Sequence, residues 1–298
     1  EGRQLPYLDR VIFSQKEKDY LPLTASQGGV TFQYQKIERD SYSVLRASRD
    51  LNGYEVYHWI PQNANKFTLY VNLDRYVGEG DPASKGKREL LQDKHFRQAL
   101  SLAIDRRTII RSEYNDLVEP AQIVPKENSP FYSEALEKAF IEHDPDRAAA
   151  LLDQIGLTGR DAEGFRLLPD GRRLNLYILV NSSQAGWEPI NLVIQDWASV
   201  GVRATLRLRS PALYGSERKL GQFDLAFMHA SAGNPLFDPN FYIPAGPHSS
   251  MASSYGLWFE EGGALGKPVS LAEAKAPPEG GDLRKAMEYL AQAQVTPE

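Results

Sequence analysis

The chain has 298 residues, with 34 Lys and Arg against 39 Asp and Glu, a formal charge of −5. Hydrophobic residues make up 42% and charged residues 24%, an ordinary globular balance in a chain long enough to bury roughly three-quarters of its unfolded surface. Extensive disorder is excluded, the mild acidity leaves no cationic footprint for nucleic acid, and the absence of cysteine removes disulfides, thiolate zinc sites, iron–sulfur clusters and thiol nucleophiles together.

Leu8–Phe13 reads as a strand. A helix follows from Ser14 to Ser26, with Glu17 at capping-box spacing, and Pro22 marks a kink or an early end. Val30–Tyr34 suits a short strand. Asp40 caps a helix over Ser41–Leu51 that Asn52-Gly53 ends. Tyr54–Ile60 and Phe67–Leu73, rich in aromatic and β-branched residues, predict two strands joined by the polar turn Pro61–Asn65. A loop covers Arg75 to about Gly86. An amphipathic helix spans Asp93–Ala103, Asp105 caps the next over Arg106–Tyr114, and Glu119–Pro130 is irregular. Asp144-Pro145 supplies an N-cap and a proline at N1 for a helix that runs to Ile155 and stops at Gly156.

Pro169-Asp170-Gly171 joins Arg166–Leu168 to Leu174–Val180 as a hairpin. A helix over Trp187–Val200, a strand over Val202–Leu208, a helix over Leu213–Leu220 and a strand over Phe223–Met228 then complete a β-α-β-α-β pattern. From residue 229 onward the chain is loop-rich, with one helix near Leu283–Ala293 and a Gly/Pro/Ala-rich surface loop over Ala264–Gly281. No repeat, linker or membrane-length apolar run interrupts it. The expectation is a single α/β unit over 1–298, a mixed β-sheet flanked by helices.

Catalytic patterns are thin. None of the five histidines sits at His-x-x-x-His spacing. His143 lies on the approach to a helix cap and His95 within an amphipathic helix. His229 closes an apolar strand, at the kind of strand end where open α/β sheets hold ligands. Gly78-Glu79-Gly80-Asp81-Pro82-Ala83 matches G-x-G-x-x-A, but its flanks read as loop rather than as a βαβ unit. Ser216-Glu217-Arg218-Lys219 fits S-x-x-K without its companion elements, and the adjacent Glu260 and Glu261 read as loop charges. What gathers instead is aromatic rings, amides and hydroxyls near strand ends. These grip a polar solute by stacking and oriented hydrogen bonds. The cleft-lining candidates are Trp59, Asn72, His229, Ser231, Asn234, Tyr242 and Trp258, with no cofactor and no metal.

Longer stretches carry a resemblance. Lys94-His95-Phe96-Arg97-Gln98-Ala99-Leu100-Ser101-Leu102-Ala103-Ile104-Asp105-Arg106 looks like the helix pair V-R-Q-A-L-x-x-A-I-D-R. Asp144-Pro145 through Leu151-Leu152 to Gly156 looks like D-P-x-x-A-x-x-L-L-x-x-A-G. Gln4–Asp9 precedes them, and the Pro169-Asp170-Gly171 hairpin, the helix and strand over Trp187–Val202, Phe223-Asp224-Leu225 and the segment from Tyr255-Gly256-Leu257-Trp258 to Pro277-Pro278-Glu279 follow in matching order. Together they resemble the bacterial family 5 extracellular solute-binding proteins, the oligopeptide- and dipeptide-binding receptors of ABC importers.

That resemblance implies one periplasmic-binding-protein-like lobe of type II, an excised second lobe lacking signal and first lobe. It also implies an extracytoplasmic monomer that delivers a small solute to an ABC permease, without enzymatic activity and without nucleic acid. Peptide-binding members carry a Trp and then an acidic residue after the F-D strand. Counted without gaps, Ala230 and Gly233 stand there, and Asp238 comes five residues late. A peptide ammonium therefore lacks its charge partner, which leaves an oligosaccharide as a rival solute. A carbohydrate hydrolase using loop acids, or a structural interaction domain, remains as an alternative of another class.

Overall fold

The computed structural model describes residues 9–33, 37, 41–57, 65–78, 81–116, 118–127, 129–230, 235, 239–247, 249 and 251–295. It divides into two compact units, Glu1–Ile60 and Pro61–Glu298.

In the first unit, α1 (Leu21–Ser26) begins at Pro22 in its first turn, and α2 (Tyr42–Asn52) ends at Gly53 in a left-handed cap. The helix expected from Ser14 thus starts late, because proline fits the first turn and breaks an interior. Residues 9–13 and 30–33 form no strand, and Val11, Ile12 and Phe13 are exposed. Asn52 Nδ2 donates to the Ser26 carbonyl at 3.0 Å and joins the two helix ends. Tyr54 hydroxyl donates to the Leu45 carbonyl, so Tyr54 lies against α2, and 54–57 is not in a strand. Asp40 lies outside the described residues.

The second unit holds a sheet in the order β1-β4-β2-β3, with β1 Asn65–Val71, β2 Asn175–Asn181, β3 Arg203–Arg209 and β4 Leu225–Ala230. β2, β3 and β4 are parallel, and β1 runs antiparallel to β4. Among the described residues the partner of β1 is thus β4; residues 58–64, which hold the rest of the expected hairpin, lie outside them. Helix α8 (Ile190–Ser199) crosses from β2 to β3, and α9 (Pro211–Lys219) from β3 to β4.

β2 alternates faces with the period of two that strands impose. Leu176, Ile178 and Val180 enter the main core with Trp197 of α8, while Leu179 packs on the other face with Tyr214 of α9. The main core also takes Phe96 and Leu100 of α4 (Lys94–Leu102) and Ala148 and Leu152 of α7 (Pro145–Gln154). Trp197 Nε1 donates to the Leu100 carbonyl at 2.9 Å, so its buried N–H is satisfied.

The capping aspartates act as the sequence indicates. Asp93 accepts from the His95 and Phe96 amides, Asp105 from Thr108 at the start of α5 (Arg106–Tyr114), and Asp144 from Arg147, while Ser133 accepts from Leu136 at the start of the short α6 (Glu134–Glu137). Asp144→Ala is expected to lower the urea midpoint by the equivalent of about 1 kcal/mol with an unchanged slope, while Asp146→Ala, one turn position on, changes little.

An unforeseen helix, α3 (Pro82–Gln92), occupies part of the expected loop. Asp81 starts it, accepting from the Ser84 amide at 3.1 Å and from its hydroxyl. The Gly78–Ala83 pattern therefore does lead into a helix. Its first-turn donor is already held by a carboxylate where a phosphate would have to sit. The 169–171 hairpin forms as expected, with the Leu168 amide on Arg172 and Gly171 at φ +84°.

Arg166, fully buried, gathers the carbonyls of Val200, Leu157 and Ala149 and the Asp153 carboxylate. A fixed cation there satisfies the carbonyls of Leu157, just beyond α7, and of Val200, which caps α8. Beyond β4, α10 (Ser253–Glu260) replaces expected loop, and Tyr255 and Trp258 build a small second core with Met287 and Ala291 of α11 (Asp282–Val295).

Candidate functional site

The parallel strands end together at Asn181, Arg209 and Ala230. This carboxyl edge is where open α/β sheets place ligands. His229 stands exposed on it. Its ring meets Phe227 edge-on, with centroids 5.7 Å apart, and Phe67 of β1 lies 5.4 Å beyond Phe227. His229 Nε2 is 3.2 Å from the Ala185 carbonyl in the β2–α8 loop. A carbonyl only accepts, so that bond fixes the ring proton on Nε2.

Gly186, at φ +80°, passes beside the same nitrogen. The β2 and β3 ends are joined where the Ser182 amide donates to the Arg209 carbonyl at 2.8 Å. From beneath, the Tyr214 hydroxyl donates to the Phe227 carbonyl at 3.1 Å, and burial pushes that phenol above its ordinary pKa. The result is a rigid edge presenting one imidazole on an aromatic floor.

The other expected residues lie elsewhere. The β1–β4 register pairs Asn65 with Ala230 and Val71 with Leu225, which places Asn72 at the opposite end of the sheet from His229. Asn72 is 1% exposed. Its amide donates to the Gly221 and Phe223 carbonyls, and its Oδ1 accepts from the Asp74 amide. Trp258 is packed into the second core, with Gly263 against its indole and the Arg284 guanidinium 5.3 Å above its ring. Tyr242 is half-buried just after the turn Pro239–Phe241. Trp59, Ser231 and Asn234 lie outside the described residues.

Sequence reasoning passed over the Phe67–Phe227 floor and the Ala185–Gly186 turn. The signal for the turn was a glycine five residues after a buried strand and shortly before a helix.

At the amino end of β4, Asp224 of the Phe-Asp-Leu motif is wholly buried. One carboxylate oxygen accepts from Lys87 Nζ at 2.9 Å and the Tyr177 amide at 2.8 Å, and the other from Arg75 Nε. Lys87 also donates to the Asn175 carbonyl. Burial holds the Lys87 pKa below its ordinary value, against the pull of Asp224. The motif aspartate therefore fastens α3 and the post-β1 segment to β2 and β4. It is an internal anchor.

Among the described residues no three His, Cys, Asp or Glu side chains are grouped to hold a metal, and no helix is long and apolar enough to cross a membrane. Glu261 is engaged by the Ser270 amide and hydroxyl and the Leu271 amide, which lower its pKa and tie down the loop.

Residues 2–253 match the family described as bacterial extracellular solute-binding proteins, family 5 middle. A probable ABC transporter-binding protein of Deinococcus radiodurans is 25% identical over 205 residues, covering 68% of this chain and 33% of its own length. The periplasmic alpha-galactoside-binding protein of Rhizobium meliloti is 30% identical over 203 residues, 62% of this chain and 28% of that protein. Among solved structures, an oligopeptide-binding protein OppA superposes with a TM-score of 0.73 at 28% identity, over 94% of this chain and 44% of that one. The chain thus spans less than half the length of each of these relatives.

Proposed function

Because the chain belongs to the bacterial extracellular solute-binding proteins of family 5, we propose that it forms part of a receptor that captures an extracytoplasmic solute for an ABC permease, and that the edge carrying His229 meets that solute. The observation that carries this reading is an exposed imidazole on an aromatic floor where three parallel strands end. Ser231 and Asn234 follow His229 by two and five residues in the sequence; with Tyr242 they remain the candidate companions in the site.

Binding without bond cleavage suits this edge. The one acid of the Glu260–Glu261 pair with resolved contacts is committed to its own loop, and the relatives are named as binding proteins. The solute class is proposed as a neutral polyhydroxylated molecule in preference to a free-amino peptide. Gly233 stands where peptide-binding members place an acid, and an ammonium held without a carboxylate is strongly disfavoured. The relatives named for alpha-galactosides and for oligopeptides frame that choice.

Native mass spectrometry of the polypeptide as the cell makes it reads the solute directly, because a closed receptor retains its ligand. Calorimetry then compares the wild type with His229→Ala. The expected result is about a tenfold loss of affinity with an unchanged circular dichroism spectrum, and an α-galactoside outcompeting a tripeptide. Wild-type affinity in the variant overturns the site, and preferential retention of peptides overturns the solute class.

A further inference from the structure

An open cavity of 270 Å³ lies between the start of α5 and the segment 138–143, lined by Arg106, Arg107, Lys138, Ile141, Glu142 and His143. It is at the far end of the unit from His229. Asp105, next to Arg106, binds Asp196 in the last turn of α8 through its amide at 2.9 Å, whereas the Ala185–Gly186 turn precedes the first turn of α8.

Its charged lining is mostly cationic. Three permanent cations line it against one carboxylate, Glu142, which is itself paired with Arg147 at 2.8 Å. Arg106 is the most telling. Its guanidinium donates to the Ser101 carbonyl at 2.8 Å, the Ser101 hydroxyl at 2.7 Å and the Ile141 carbonyl at 3.4 Å. All three acceptors are neutral, and among the described residues no Asp or Glu forms an ion pair with it. Two of its five N–H groups are left over. The Ser101 hydroxyl is fixed in turn by the Phe140 carbonyl and the Gln122 amide, so the fork is held rigid. Burial pushes the guanidinium pKa down to about 10, with Glu142 opposing the shift.

A partly desolvated cation whose hydrogen bonds all go to neutral acceptors, with Glu142 acting on it without an ion pair, is open to a further counter-charge. On the rim, Arg107 pairs with Glu119 at 2.7 Å and Lys138 with Glu134, all four side chains more than half exposed. Pairs so exposed are worth little and exchange easily.

We propose that this cavity binds a small polyvalent oxyanion, a polycarboxylate or a phosphate, with Arg106 as the fixed anchor and Arg107 and Lys138 closing over it. The volume lies just below the range of sites for drug-sized ligands, and a guanidinium fork matches the geometry of carboxylate and phosphate oxygens alike.

The test titrates the full chain calorimetrically with citrate and, separately, with inorganic phosphate, against chloride at matched ionic strength. The expected result is one saturable site with a Kd of about 1 mM or tighter for at least one anion, and about a tenfold weaker site in Arg107→Glu/Lys138→Glu. Both substitutions are at exposed positions, so the fold persists. Arg106→Lys, which keeps the charge and loses the fork, weakens binding further, while His229→Ala leaves it untouched. A stronger citrate response identifies a polycarboxylate and a stronger phosphate response a phosphate. Failure of both to saturate by about 10 mM, or wild-type binding by the double variant, overturns the proposal.

Discussion

Asp224→Asn is expected to lower the unfolding free energy by about 3–5 kcal/mol. The carboxylate is wholly buried and faces both Lys87 and Arg75. The isosteric amide keeps the volume but removes the charge, and its NH2 group points a donor at donors. Two cations are then left buried against neutral groups. Urea unfolding followed by circular dichroism measures the loss, and Asp224→Asn combined with Lys87→Met should recover a substantial part of it, a coupling that a packing defect would not show.

The same pair has a pH signature. Burial already holds Lys87 below its ordinary 10.5, so at alkaline pH the unfolded chain binds more protons than the folded one. Stability therefore rises with pH between the folded pKa of Lys87 and 10.5. Without Asp224 to pull that pKa upward, the rise should begin at lower pH and be steeper. A variant as stable as the wild type at pH 7 refutes the anchor role.

Gly256→Ala is expected to cost about 3 kcal/mol. A β-carbon there would fall 1.9 Å from the Gly246 carbonyl oxygen, a backbone atom that no rotamer change can move aside. Either α10 or the 244–247 segment must shift, and Trp258, two residues along α10, reports it through fluorescence. Gly215→Ala is the control. It lies inside α9 with nothing within 4 Å of its β-carbon position, so alanine there should be neutral or raise stability by up to about 1 kcal/mol. Equal melting temperatures for the two variants would show that α10 does not approach Gly246 so closely.

How much was legible depended on whether the signal was local. The helix after Asp144-Pro145, its stop at Gly156 and the bounds of α5 follow from caps and turns that act within four residues, and they stand as read. The family order also carried through the β2–α8–β3–α9–β4 run. Yet the same Asp-Pro signal opens α3 at Asp81-Pro82 and was passed over among glycines and charges. α10 was missed because it is only eight residues long, opens on two serines and carries Gly256 in its interior, a composition that reads as loop; six of its residues are buried, so no apolar stripe alternates with a polar face and the 3.6-residue period never shows.

The pairing of β1 with β4 was unforeseen for a different reason. Residues Tyr54–Tyr57 have strand-like composition, but Tyr54 is hydrogen-bonded along α2, and no local rule reports a pairing with a strand so distant in sequence. The place of His229 at a strand end was readable from the apolar run before it, and its role there is the proposal made above. Asn72 was not, because a polar residue ending a strand looks alike whether it faces a ligand or satisfies buried carbonyls. Trp258 was drawn to a cleft by its ring alone, and only its neighbours Gly263, Arg284 and Met287 show a packed interior.

The antiparallel pairing of Val71 with Leu225 also dictates a timetable. On a ribosome that adds about 5–20 residues per second, the strand 65–71 waits roughly 10–30 s for the roughly 150 residues that precede its neighbour. Until then its Phe67, Leu69 and Val71 have no strand beside them. The sheet can be completed only after synthesis has passed residue 230, so premature termination anywhere in the preceding stretch leaves a sticky, unpaired ribbon for quality-control machinery to remove.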